Sequence, residues 1–294
     1  MDGITAQLLA LQVFTGLALG AIYTLLAVGL SLIFGMLTVV NFAHGAFFMV
    51  GAYAGYSLYQ YVPNFWLCLV GVPLITGLIG IVAERFLVRP LYGRGIDYPL
   101  LLTFGLAYVM VELVRIQFGK QGLPVDTPEL LQGSVDVLIG HFPLYRLFVI
   151  GITAVVLAAL WLFIEKTSFG LIVRAGARDP EIVRVLGIDI AKVWLIVFGI
   201  GTGIAGLAGY LSSPMQGITP EMGGSVLIVA FVVTVVGGMG SLTGAVVAGL
   251  LVGVVESLAA LFAPEAAKVS MFVIMAVVLL VRPLGLFGRA GLMS

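Results

Sequence analysis

Charge is scarce in this sequence. Its 294 residues hold 14 Lys+Arg and 14 Asp+Glu, so 10% are charged and the formal net charge is zero. Soluble domains carry about a quarter charged residues. So sparse and balanced a set excludes a soluble globular chain, a disordered chain and a nucleic-acid binder. Cysteine is scarcer still. Cys68 is the only one; it has no disulfide partner within the chain and reads as a small core residue. Histidine is limited to His44 and His141, far apart in the chain, which leaves no ligand cluster for a metal. The apolar runs carry no nucleophile or carboxylate pair of the kind a membrane enzyme needs, and no row of acidic residues that would relay protons. No G-x-x-x-x-G-K-[ST] phosphate loop occurs. The N-terminus lacks a basic stretch and an A-x-A-like site before its first apolar run, so no cleaved signal peptide is expected.

What is present is apolar length. Apolar residues make up 61% of the chain, and the mean hydropathy is +1.20. From Gly3 to Ala83, 81 residues pass without a single Asp, Glu, Lys or Arg. At about 20 residues per span, that run holds three membrane helices and their turns. The 39 glycines and 12 prolines suit membrane helices, where both are more frequent than in soluble ones. A β-barrel would show short alternating segments instead. The expected fold class is therefore all-α: one polytopic helical membrane domain over residues 1–294, with about 8–9 transmembrane spans. The expected spans are 8–37, 46–61, 65–88, 98–118, 143–164, 193–211, 225–236, 243–262 and 269–286. Segment 225–236 is short enough to be re-entrant.

Basic residues orient the spans. Arg85, Arg89 and Arg94 follow the third span; Lys166, Arg174, Arg178, Arg184 and Lys192 follow the fifth; Arg282 and Arg289 lie in the tail. These are ten of the 14 basic residues, and all fall on one side if the spans alternate. The positive-inside rule makes that side the cytoplasm. The C-terminus is then cytoplasmic, and the N-terminus, with Asp2 as its only charged side chain, faces outward. Segment 119–142 carries Asp126, Glu129 and Asp136 against Lys120 and is rich in turn residues. It reads as an outward loop with room for one short helix.

The inward segment 166–192 is the most informative. Asp179 suits a helix N-cap, Pro180 the first helical position, and Glu181 the positive end of the helix dipole. Gly187 suits the left-handed residue after the helix end. Ile182, Val185 and Leu186 give an apolar face that the segment cannot bury alone. Ala175, Gly176 and Ala177 are small enough for close approach. The segment is either a solvated connection or a helix that docks into a partner.

Polar groups inside the spans are few. Asn41 and His44 interrupt the first apolar run, either as a helix cap and a satisfied packing histidine or as lining of a translocation path. Glu112 and Arg115 have the i, i+3 spacing of a surface pair. Glu256 either meets a partner on another span or lines a cavity. Gly199 with Gly203, and Gly249 with Gly253, make G-x-x-x-G pairs that let helix backbones approach. They serve core packing or a sliding contact.

Five stretches resemble a known family. They are Gly20-Ala-Ile-Tyr-Thr-Leu-Leu-Ala-Val-Gly-Leu-Ser-Leu-Ile-Phe-Gly35, Val40-Asn-Phe-Ala-His-Gly-Ala-Phe-Phe-Met-Val-Gly-Ala-Tyr53, Arg174-Ala-Gly-Ala-Arg-Asp179, Gly237-Gly-Met-Gly-Ser-Leu-Thr-Gly244 and Arg282-Pro-Leu-Gly-Leu-Phe-Gly288. In order and spacing they are similar to bacterial branched-chain amino acid ABC permeases of the LivH type. The resemblance implies a permease subunit that moves branched-chain or similar neutral amino acids across the bacterial inner membrane. It implies a second related permease, two cytoplasmic ATPases and a periplasmic or lipid-anchored binding protein as partners. It makes the segment from Arg174 through Pro180 to Gly187 the ATPase-contacting loop. ATP would be used by the partners, with no cofactor in this chain. Urea or short amides, which similar permeases handle, are an alternative cargo. A stand-alone secondary transporter is a second alternative, with only His44 and Glu256 as coupling groups.

Overall fold

The computed structural model describes residues 6–37, 39–95, 97–137 and 140–288. Asp2 and Arg289, used above to orient the ends, lie outside them. The order of helices is α1 (Ala6–Leu37), α2 (His44–Tyr61), α3 (Phe65–Ala83), α4 (Asp97–Phe118), α5 (Leu144–Lys166), α6 (Ser168–Arg178), α7 (Pro180–Val185), α8 (Ile190–Gln216), α9 (Met222–Gly237), α10 (Leu242–Phe262) and α11 (Val269–Val281). Side chains mark several starts. Asn64 accepts from the N–H groups of Trp66 and Leu67 at the start of α3, and Ser241 accepts from Gly244 at the start of α10. Gly217 and Gly238, at φ +72 and +99, end α8 and α9 in a conformation that side chains disfavour.

Among the described residues, six stretches are long and apolar enough to cross a membrane: Ala6–Leu37, Phe65–Leu91, Asp97–Phe118, Leu144–Lys166, Ile190–Gln216 and Leu242–Phe262. The other three expected spans fall short. α2 carries His44, Gln60 and four tyrosines in 18 residues, and α9 and α11 have only 16 and 13 residues. The expectation of a helix to residue 286 is corrected. Pro283 and Gly285 (φ +81) turn the chain after Val281, and the N–H groups of Leu286 and Phe287 donate to the carbonyls of Val236 and Gly237 at the end of α9. Among the described residues, the all-α expectation has one exception. Segment 119–142 holds a short 3-10 turn, and β1 (Ser134–Val137) pairs antiparallel with β2 (Gly140–Pro143).

Glycine sets how the helices pack. α1 runs through the middle of the bundle and is buried over most of its length. A Cβ at Gly16 would lie 2.6 Å from the Val254 Cα of α10, and one at Gly20 would lie 2.9 Å from the Gly249 carbonyl oxygen. α8 meets three neighbours the same way: Gly201 against Gly29 of α1, Gly203 against Pro73 of α3, and Gly209 against Phe48 of α2. Both G-x-x-x-G pairs therefore lie in tight helix contacts, as core packing requires. α4, α5 and α11 form the rim and present large apolar side chains outward, among them Leu101, Ile116, Val155, Trp161 and Leu280.

One end of the bundle gathers the α1 terminus, α6, the start of α8, the α9–α10 turn and the chain's C-terminal segment. Gly35 approaches Gly240, Gly176 approaches Met36 and Ile190, and Gly238 approaches Gly288. The motifs at 237–244 and 282–288 thus pack against each other. Arg174 and Arg178 of α6, and Arg89, which donates to Ala191 O at the start of α8, lie at this end.

Candidate coupling surface and polar path

The connection 166–192 folds as two helices. The first, α6, escaped the reading from residues. Its signal is Thr167, whose hydroxyl accepts from the Gly170 N–H at 3.0 Å and caps the helix. Asp179 is the hinge between the two helices. Its backbone N–H donates to Ala175 O of α6, while its carboxylate accepts from Glu181 N at 3.0 Å and Ile182 N at 3.1 Å. Pro180 holds the first position of α7, Glu181 pairs with Arg184 at 2.9 Å, and Gly187 takes φ +81. Arg174 donates to the Ile164 carbonyl and pairs with Glu165, which ties α6 to the end of α5.

The outer surface of this element is apolar. Ile182, Val185 and Leu186 are 59%, 86% and 71% exposed, whereas Val183 turns inward and is 2% exposed. Ala175 and Arg178 are exposed beside them, and Ala177 is half-buried. Gly176 requires a correction. It is buried inside the chain, and a Cβ there would meet Ile190 Cδ1 at 2.6 Å and Met36 Cε at 3.5 Å. Its smallness seats α6 on α1 and α8.

The interruption after α1 is buried. Asn41 and His44 are 0% exposed. The His44 Nε2 lies 3.0 Å from Leu26 O; a carbonyl only accepts, so Nε2 carries the proton. Leu26 is eleven residues before the end of α1, about 16 Å along the helix. The start of α2 is thus drawn back towards the middle of the bundle. The Asn41 carboxamide oxygen accepts from Ala43 N at 3.1 Å, and Thr103 of α4 receives the Phe42 N–H at 3.1 Å. Non-helical backbone at such depth is tolerated only inside protein or beside water, and these bonds hold it there. Gly45 packs on Gly223, the second residue of α9. Asn41 and His44 therefore share one site at the start of α2.

Glu256 is elsewhere, in the seam between α1 and α10. Tyr23 donates its hydroxyl to the Glu256 carboxylate at 2.9 Å. Beside it, Gln12 Nε2 donates to Ser257 O at 2.6 Å and Ser257 Oγ donates to Gln12 O at 2.8 Å. A partner on another span is thus present. The substitution Tyr23→Phe is expected to cost about 1–3 kcal/mol, the range for leaving a buried polar partner unsatisfied. A lowered thermal midpoint of the purified protein checks this; an unchanged midpoint would show that the hydroxyl is idle.

At the opposite end, Arg115 pairs with Glu112, as the spacing predicts, and also with Glu221 at 2.8 Å. The Arg115 hydrogen bond holds the Glu221 carboxyl below the usual carboxylate range. Leu123 and Ile218 exchange backbone hydrogen bonds of 2.9 and 3.0 Å beside this pair. Glu221 and Glu84 are ion-paired carboxylates that the sequence reading did not single out. Glu84 is the residue that ends the charge-free run, and it lies five positions before Arg89.

Residues 12–282 match the family model for the branched-chain amino acid transport system / permease component. The chain belongs to this permease family. It is a transport family and not an enzyme family, and the apolar helices make its member here an integral membrane protein. The permease is 30% identical over 296 residues to the high-affinity branched-chain amino acid transport system permease protein LivH of Escherichia coli, covering 95% of both chains. It is 28% identical over 265 residues to the permease protein LivM of the same bacterium, covering 81% of this chain and 61% of that one. Its fold is shared by a solved structure, PsaBC from Streptococcus pneumoniae in complex with Fab, at TM-score 0.50 and 11% identity, covering 91% and 89% of the two chains.

Proposed function

We propose that this chain is the transmembrane permease subunit of an ABC importer that carries branched-chain amino acids into the cell. The family match across residues 12–282 is the observation that carries it. Uptake of labelled leucine, isoleucine and valine in cells lacking the chain tests it. Loss of saturable uptake supports the cargo, and displacement by urea or short amides with no effect of leucine would assign the alternative cargo instead.

The α6–α7 element is the ATPase-docking surface. Its exposed Ile182, Val185 and Leu186 are what a protein contact would bury, and the sequence has no phosphate loop of its own. Two ATPase subunits on the cytoplasmic side supply the ATP chemistry, so this chain needs no cofactor. The basic end of the bundle faces the cytoplasm, with the C-terminus there and the N-terminus outside. A second, related permease completes the path. LivH and LivM, both similar to this chain, are two permease proteins of one bacterium, which favours such a pair. A binding protein, periplasmic or lipid-anchored, delivers cargo from outside.

Asn41 and His44 line the path beside the start of α2, and Glu256 supports it through Tyr23. Polar groups at membrane depth that face protein or water mark substrate routes. The substitution His44→Ala removes the Leu26 contact and leaves a small void. Transport is expected to fall about five-fold, the rate equivalent of about 1 kcal/mol, with the complex intact on size exclusion. Unchanged uptake kinetics would remove His44 from the path.

A further inference from the structure

The joint between α3 and the coupling element is built around a buried charge. Glu84 closes α3, and its side chain is 0% exposed. Arg89 donates Nε to Glu84 Oε1 at 3.1 Å and Nη2 to Oε2 at 2.9 Å, and Tyr92 Oη donates to Oε1 at 3.0 Å. The same Arg89 Nη2 donates to Ala191 O at the start of α8, at 2.9 Å. Backbone geometry makes the pair. Residues 84–88 form a π-helical turn closed by Arg89 N–H to Glu84 O. In an α-helix residues five apart point about 140° from each other; the wider turn sets position five over position zero. Single π-turns are frequent at functional sites.

The contacts continue to the exposed surface. The Tyr92 ring meets Trp194 of α8 edge-on, with centroids 5.1 Å apart. On the Trp194 ring sits the Arg184 guanidinium of α7, 5.9 Å from its centroid. A contiguous path thus runs from α7 through Trp194 and Tyr92 to Glu84. There α3 is already locked to α8, with Gly77 against Gly199 and Gly203 against Pro73. A buried ion pair is a poor device for stability alone, because apolar residues of similar volume serve as well or better. Its best-attested use is to fix register between packed elements.

We propose that Glu84, Arg89 and Tyr92 are positioning residues of transport: they form the joint through which displacement of α7 moves α3 and α8 as one body. The inference rests on the reading of α6–α7 as the ATPase-docking surface. The test uses the complete transporter in proteoliposomes and compares wild type with the double variant Glu84→Met/Arg89→Met. Removing both partners leaves no orphaned charge. ATP hydrolysis and half-saturation by leucine are expected to stay near wild type, while leucine carried per ATP falls at least about five-fold, within the range measured for coupling networks. Tyr92→Phe keeps both rings, removes one donor to Glu84, and is expected to shift the same ratio in the same direction. An assembled double variant with wild-type leucine per ATP overturns the joint. So does loss of the ATPases from that variant, which would make the cluster a scaffold for docking. Failure of the docking reading looks different: the ATPases would stay bound when the exposed α7 face is charged.

Discussion

Replacing Leu186 with aspartate is expected to abolish transport and release the ATPase subunits, while the chain still enters the membrane. Leu186 is 71% exposed, so its side chain contributes little to the packing of its own chain. In the docked complex proposed above, the same side chain would be buried beside Ile182 and Val185. Burying a leucine is worth about 1.5–3 kcal/mol, and an unpaired charge in its place adds a desolvation cost of several kcal/mol. A total of about 4 kcal/mol weakens docking about a thousand-fold. Copurification of the ATPases with the tagged permease reads this directly. Val183, three residues earlier and 2% exposed, is the control of opposite kind: aspartate there disrupts the chain's own fold. Full uptake with bound ATPases in the Leu186 variant would remove α7 from the contact.

Replacing Gly253 with leucine is expected to eliminate the folded protein. A Cβ at Gly253 would lie 2.6 Å from Gly16 O and closer still to the Gly20 backbone. Backbone cannot yield as a flexible side chain can, so α1 and α10 must separate. Membrane helices gain little from the hydrophobic effect on associating and depend on such close packing. Separation also breaks the Tyr23–Glu256 and Gln12–Ser257 hydrogen bonds, leaving buried groups unpaired at about 1–3 kcal/mol each. With overpacking strain the sum is about 5 kcal/mol or more, a large part of a domain's total stability. The membrane level of the protein, measured by immunoblot, falls to near zero. Gly224→Ala is the control: nothing lies within 4 Å of a Cβ there, and the level stays normal. A normal level for the Gly253 variant would mean that the seam can open without loss.

The helices were legible because apolar runs and their breaks are local signals. The Asp179-Pro180-Glu181 start and the Gly187 stop were legible for the same reason, since each depends on one side chain and the next turn of backbone. What escaped depended on distance. The inward turn of Gly176 is set by Met36 and Ile190, and the partner of Glu256 is Tyr23, 233 residues away. Arg89 counted as a loop charge, yet a π-turn, invisible in composition, pairs it with Glu84. The β-hairpin was missed because Ser134–Val137 and Gly140–Pro143 are too short for alternation to stand out.

ATP-dependent uptake by the complex purified through this chain tests the central claim most directly. Proteoliposomes holding the permease with its copurified partners, and a binding protein loaded with labelled leucine outside, are expected to accumulate leucine when ATP is enclosed on the ATPase side. No accumulation is expected with a non-hydrolysable analogue or with an ion gradient alone. Gradient-driven accumulation by the isolated chain, without ATP or partners, would contradict the claim and make the protein a stand-alone transporter.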